Sequence, residues 1–177
     1  MADSATFSPD RVYRYTLYRE WPMSEDCREG YAMFIGLNPS TADETNDDAT
    51  IRRCRGFAKS WGFSKMWMLN LFAFRATLPK DMMSALDPIG PENDRYLQEY
   101  AERGFVVAAW GRSGEFMQRD KRVMELLKGR VHQIGEAEYP RHPLYLRKDL
   151  IPVTVGALAA TKGTSTVGPG RQGEGQG

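Results

Sequence analysis

Apolar positions in this chain fall into short blocks separated by amphipathic stretches. The blocks "YAMFIGL" (31–37), "KMWMLNLF" (65–72), "GFVVAAWG" (104–111) and "GRVHQIG" (129–135) are too short for buried helices. They predict strands covered on both faces, as in a parallel sheet. Between them the period changes. Ala49 to Trp61 puts Ile51, Cys54, Phe57, Ala58 and Trp61 on one stripe, and Glu92 to Arg103 does the same with Tyr96, Leu97 and Tyr100. Gly114 to Lys128 aligns Phe116, Met117, Val123, Met124 and Leu127, so three helices are predicted. "RVYRYTLYREW" alternates polar Arg14 and Thr16 with Tyr13, Tyr15 and Leu17, the pattern of a half-exposed edge strand. Strands alternating with helices predict an α/β fold: a three-layer α/β/α sandwich with a central, mostly parallel sheet of about four strands, plus an N-terminal edge strand.

The ends have a different composition. Residues 1–10 are polar and are expected to be flexible, and the Gly-rich stretch 156–177 is expected to be disordered, because it cannot bury enough surface to offset its ordering entropy. Residues 11–155 then form a single domain, for which a chain of 177 residues that is 41% hydrophobic suffices.

Charge narrows the partners. Lys+Arg number 24 and Asp+Glu 23, a net charge of +1, so no global basic field draws in nucleic acid and any such contact is local. Cys27 and Cys54 sit in no CxxC pair and near no His at ligand spacing, which predicts two reduced thiols and no metal or cofactor. The opening residues have no apolar targeting core and no apolar run reaches spanning length, so the expectation is a cytoplasmic protein without a membrane partner.

Ligands of open α/β sheets bind beyond the carboxyl ends of the strands, and there the sequence carries its polar chemistry. In "GLNPSTAD", Gly36 permits a tight turn and Pro39 holds Asn38 in an extended or turn state, with its amide free either to cap the backbone or to hold a ligand or water. Ser40, Thr41 and Asp43 are candidate caps for the next helix. Asp43, Glu44, Asp47 and Asp48 suit its positive end, or a magnesium ion. Asn70 lies inside an apolar strand, where a buried amide is either a structural bridge or a reader of a heterocycle edge. His142, in "PRHPLYL", is either a packed loop residue or a donor to a developing oxyanion. "WGRSG" has a short Gly pair around Arg112 and Ser113. With Arg75 and Arg141 these are the candidate phosphate contacts, and no GxxxxGK[ST] or GxGxxG is present.

Two resemblances follow from these motifs. "GLNPSTAD", "DDATIRRC", "FAKSWGF", "NLFAFRAT", "DPIGPEND", "VVAAWG" and "PRHPLYL" together look like the signature of the family known as domain of unknown function 1643. More remotely, "GLNPS", "WMLN", "VVAAWG" and His142-Pro143 resemble, in order, four landmarks of the uracil-DNA glycosylase superfamily. That resemblance implies that Asn38 orients the attacking water, Asn70 reads the base and His142 stabilises the leaving base, with Phe57, Trp61 or Phe72 packing against a flipped nucleotide. The implied partner is a nucleic acid or nucleotide, and the implied activity is N-glycosidic hydrolysis without metal or iron–sulfur cluster. Leu144-Tyr145 departs from the Ser-Pro wedge loop of those enzymes. Two other classes stay open: a non-catalytic nucleic-acid or nucleotide binding module, and a metal-dependent nucleotide hydrolase built on Asp43, Asp47 and Asp48. The oligomeric state is open as well.

Overall fold

A computed structural model describes residues 2–22 and 24–156. Seven strands form one sheet: β1 (Ser4–Phe7), β2 (Arg14–Glu20), β3 (Ala32–Gly36), β4 (Lys65–Asn70), β5 (Phe105–Ala108), β6 (His132–Ile134) and β7 (Pro152–Thr154), in the order β1-β2-β4-β3-β5-β6-β7. Among the described residues four α-helices accompany it: α1 (Ala49–Ser60), α2 (Pro79–Met83), α3 (Asn93–Ala101) and α4 (Arg119–Leu126).

This corrects the expected sheet. In place of about four mostly parallel strands with one N-terminal edge strand, the sheet is seven-stranded and mixed. β1·β2, β2·β4 and β6·β7 pair antiparallel, while β4·β3, β3·β5 and β5·β6 pair parallel. The N-terminal decapeptide, expected to be loose, contributes β1. The strand expected at the edge, β2, lies inside the sheet between β1 and β4. Its polar alternation misled because Arg14, Thr16 and Arg19 are all buried, at 2%, 0% and 0% exposure. β7 is three residues opening on a proline, too short to show a period.

Both sheet faces carry cores, because β3 and β4 send alternate apolar residues to opposite sides. Leu17, Phe34, Met66 and Met68 pack with Ile51, Cys54, Phe57 and Ala58 of α1. Met33, Ile35, Leu69 and Leu71 pack with Met82, Leu97 and Val123 of α2, α3 and α4. The helix expected over 114–128 begins only at Arg119. Met117 and Gln118 are left-handed, and the buried Arg119 side chain is tied to the Leu71 carbonyl and to Asp94. Gly156 closes the described segment, so the stretch read as a disordered tail lies otherwise outside the described residues.

Candidate functional site

β3 and β4 run parallel and end together, with Gly36 opposite Asn70. Gly36 lets them approach closely: a Cβ on it would come within 2.8 Å of Asn70 Oδ1 and 2.6 Å of Met68 Cε, so both side chains would have to shift. The side chain of Asn70 therefore lies over residue 36, at the base of a cleft of about 340 Å³. The cleft is lined by Asn38 and Ser40 after β3, Asp48 and Thr50 at the start of α1, and His142 from the loop before β7.

Asn70 is 1% exposed, and neither its Oδ1 nor its Nδ2 has a hydrogen-bond partner. Buried amides are almost always paired, because an unmet polar group costs about 1–3 kcal/mol. The structural bridge that a buried asparagine ordinarily forms is made instead by Asn93, whose Nδ2 donates to the carbonyls of Asn70 and Leu71 at 3.0 Å each. Asn38 is partly committed: its Nδ2 donates to Ala76 O at 2.8 Å and to Pro39 O at 3.1 Å. What remains to it is an acceptor, Oδ1.

His142 is carried over the cleft by two contacts. Arg53 of α1 donates to the carbonyls of Pro143 and Leu146, pinning the loop to the helix. Gly111, at φ 73° and ψ −175°, lets the chain after β5 pass beside it. Leu144 N–H donates to His142 Nδ1 at 3.3 Å, so the neutral ring carries its proton on Nε2. Burial lowers the His142 pKa below 6.5, and Asp48 offsets part of that fall.

Arg14 completes the floor of the cleft and was missed in the sequence. The pairings Thr6↔Thr16 and Phe7↔Arg14 skip Tyr15, so β2 holds an extra residue at that point. Such a bulge re-aims side chains. Here it sends Tyr15 to stack on Tyr96 of α3 while Arg14 reaches the α1 side of the sheet, where Leu17 packs. Arg14 Nη1 donates to Ala42 O at 2.7 Å, and its Nε is buried without a partner. Desolvation pulls its pKa down to about 10, which leaves it charged at neutral pH. Two arginines five positions apart among aromatic residues, in "YRYTLYRE", were the available signal.

The acidic cluster disperses into structural roles. Asp48 is the N-cap of α1, accepting from Ile51 N at 2.9 Å, the part that Ser40, Thr41 or Asp43 was expected to play. Asp47 pairs with the buried Arg19 at 2.6 Å, and Glu44 pairs with Arg11 at 2.8 Å. Asp43 accepts from the backbones of Thr45 and Asn46, which holds its carboxyl well below the usual range. Arg19 also donates to the carbonyls of Asp43 and Glu44, so the buried cation organises the whole loop. Among the described residues no three His, Cys, Asp or Glu side chains come together as a metal site. Cys54 lies fully buried, and desolvation raises its pKa, which keeps the thiol protonated.

The other candidates sit elsewhere. Phe57 is core, 2% exposed, under a neighbouring groove of about 540 Å³ that shares Ala49 and Leu144 with the cleft. Trp61 stacks on Phe34 and Phe57 and donates its indole N–H to Leu150 O at 3.0 Å. Phe72 is buried on the opposite face of the sheet, against Phe116. Arg75 lies over the Phe7 ring in a shallow hollow that shares Ser40, Ala76 and Thr77 with the cleft. Arg112 covers Tyr139 in a separate hollow, Ser113 is half-buried beside it, and Arg141 is exposed. The structure thus brings together Asn38, Asn70 and His142, adds Arg14 and Asp48, and leaves the proposed aromatic and most phosphate contacts outside.

No curated protein and no solved structure matches the chain. A family model does: the chain belongs to the family described as Protein of unknown function (DUF1643), whose match over residues 14–144 contains every residue lining the cleft.

Proposed function

We propose that the cleft binds a nucleobase, within a nucleotide or a nucleic acid, and that the protein hydrolyses the N-glycosidic bond that carries it. The observation behind this reading is the Asn70 amide, a donor and an acceptor side by side, buried, unpartnered and facing the cleft. A heterocycle edge with the opposite pair satisfies both atoms at once. The order of Asn38, Asn70 and His142 along strand ends, which resembles the uracil-DNA glycosylase superfamily, supports the same reading. The exposed Tyr145, with its ring 5.7 Å from that of His142, offers a stacking surface at the rim.

In this mechanism the C1′–N bond breaks and its electron pair leaves with the base. His142, neutral at working pH and protonated on Nε2, donates a hydrogen bond to the charge that develops there. Asn38 Oδ1 accepts from the attacking water, whose oxygen bonds to C1′ and whose proton passes to the Asp48 carboxylate. The test separates binding from turnover. Asn38→Ala and His142→Ala are expected to lower base release by at least about a hundredfold while base affinity, read by calorimetry, stays within a few fold of wild type. Turnover that survives both substitutions would refute the assigned roles.

A further inference from the structure

Buried arginines are normally held against carboxylates, because a desolvated charge without a partner is costly. Arg19 faces Asp47 at 2.6 Å, and Arg119 faces Asp94. Arg14 is the exception. It is 2% exposed, its guanidinium makes one hydrogen bond, to a backbone carbonyl, and its buried Nε–H has no acceptor among the described residues. Asp48 shares the cleft, but its carboxylate caps α1 and forms no ion pair with Arg14 among the described residues. The bulge at Tyr15 puts this guanidinium at the strand end where Asn70 also lies unpartnered. Two side chains that line one cleft therefore carry three unmet polar atoms: a donor and an acceptor on Asn70, and a charged donor on Arg14.

We propose that Arg14 takes up negative charge on the bound heterocycle, with a ligand oxygen supplying the acceptor that its Nε–H lacks, beside the edge bound by Asn70. The inference rests on the reading of the cleft as a base pocket and adds a substrate class: heterocycles whose carbonyl oxygens share negative charge once the base leaves. A base that presents an amino group to Arg14 sets a donor against a donor and is rejected. Arg14 then lowers the barrier by matching charge that grows as the bond breaks.

The test uses the full chain and three probes of similar shape: barbiturate, an imide already anionic at neutral pH; uracil, a neutral imide; and cytosine, which carries an amino group. Calorimetry on wild type is expected to give barbiturate an affinity about tenfold or more above uracil, the low end for a hydrogen bond to a charged group, with cytosine weakest. The Arg14 Nε–H resonance in a ¹⁵N spectrum is expected to move on addition of barbiturate. Arg14→Gln should bring barbiturate and uracil to similar affinity. Arg14→Lys keeps the charge without the Nε–H; it should lose part of the preference, and it decides the matter if Arg14→Gln does not fold. Equal affinities in wild type, no binding of any probe, or a preference unchanged in both variants would overturn the proposal. Displacement of barbiturate by orthophosphate at equal concentration would instead assign Arg14 to a phosphate oxygen and also overturn it. Base release from oligonucleotides, measured in parallel, keeps the two readings apart. Release without anion preference sinks only this inference, and anion preference without release sinks only the hydrolysis.

Discussion

Replacing Asn70 with leucine should make the free protein more stable while destroying its binding site. The wild-type side chain is 1% exposed with both amide atoms unpartnered, and it lies among Gly36, Met68 and Ile51. Leucine keeps the branching and reach of asparagine with bulkier methyl ends, so the substitution removes an unmet amide and adds apolar contact without a cavity. An unsatisfied buried amide costs about 1–3 kcal/mol. The bulk of the added methyl groups offsets part of that gain, which places it near the low end, about 1 kcal/mol. For a chain of this size that raises Tm by about 2–4 °C. The assay is urea and thermal unfolding of wild type and Asn70→Leu without ligand, followed by calorimetry with a pyrimidine base. A loss of 1 kcal/mol or more would mean that Asn70 bonds within the folded protein, and the argument that its amide is held for a ligand would fail.

Gly36→Ala should push the Asn70 side chain aside, since the new Cβ would sit 2.8 Å from its Oδ1; we expect a stability loss of about 1–3 kcal/mol in denaturant and lost base affinity. Arg19→Met should cost about 3 kcal/mol or more in the same unfolding assay, because Asp47 and the carbonyls of the 43–46 loop lose a cation buried at 0% exposure. The lowered pKa of His142 has two consequences. Base release should rise with pH through the folded-state value, which lies below 6.5, as the ring becomes neutral. Stability follows the same direction: the unfolded chain binds the extra proton first, so stability contributed by the neutral ring is present above 6.5 and is lost as pH falls towards the folded value. His142→Asn should flatten that part of the stability–pH curve.

What the sequence revealed depended on whether a feature was local. β3, β4 and β5 stand out because each is an uninterrupted apolar block, and α1 and α3 because their stripes are regular. Asn38 and Asn70 were recognisable because each follows or ends such a block, and His142 because it stands in the polar motif "PRHPLYL" beyond the last strand expected. Sheet order was not legible in the same way. β2 reads as an edge because its arginines look solvated, yet they are buried by a loop some 28 residues further on, through contacts such as Arg19 to Asp47 and Arg14 to Ala42. The same long-range pairing hid Arg14 as a member of the site. It also gave the acidic run its actual work, since Asp47 answers Arg19 and Asp48 caps α1. The aromatic candidates lie apart from the cleft for the opposite reason: Phe57 and Phe72 share a sequence neighbourhood with the site, but the pleat and the helix face turn them into the two cores.

The decisive measurement is base release by the purified, folded protein, with and without EDTA, from single- and double-stranded oligonucleotides carrying uracil, mismatched thymine, hypoxanthine or hydroxymethyluracil, scored as alkali-labile abasic sites. N-glycosidic hydrolysis in the Asn70 cleft predicts release that persists in EDTA and disappears in both Asn38→Ala and Asn70→Leu. Release unchanged in Asn70→Leu, or no release from any of these substrates, would contradict it.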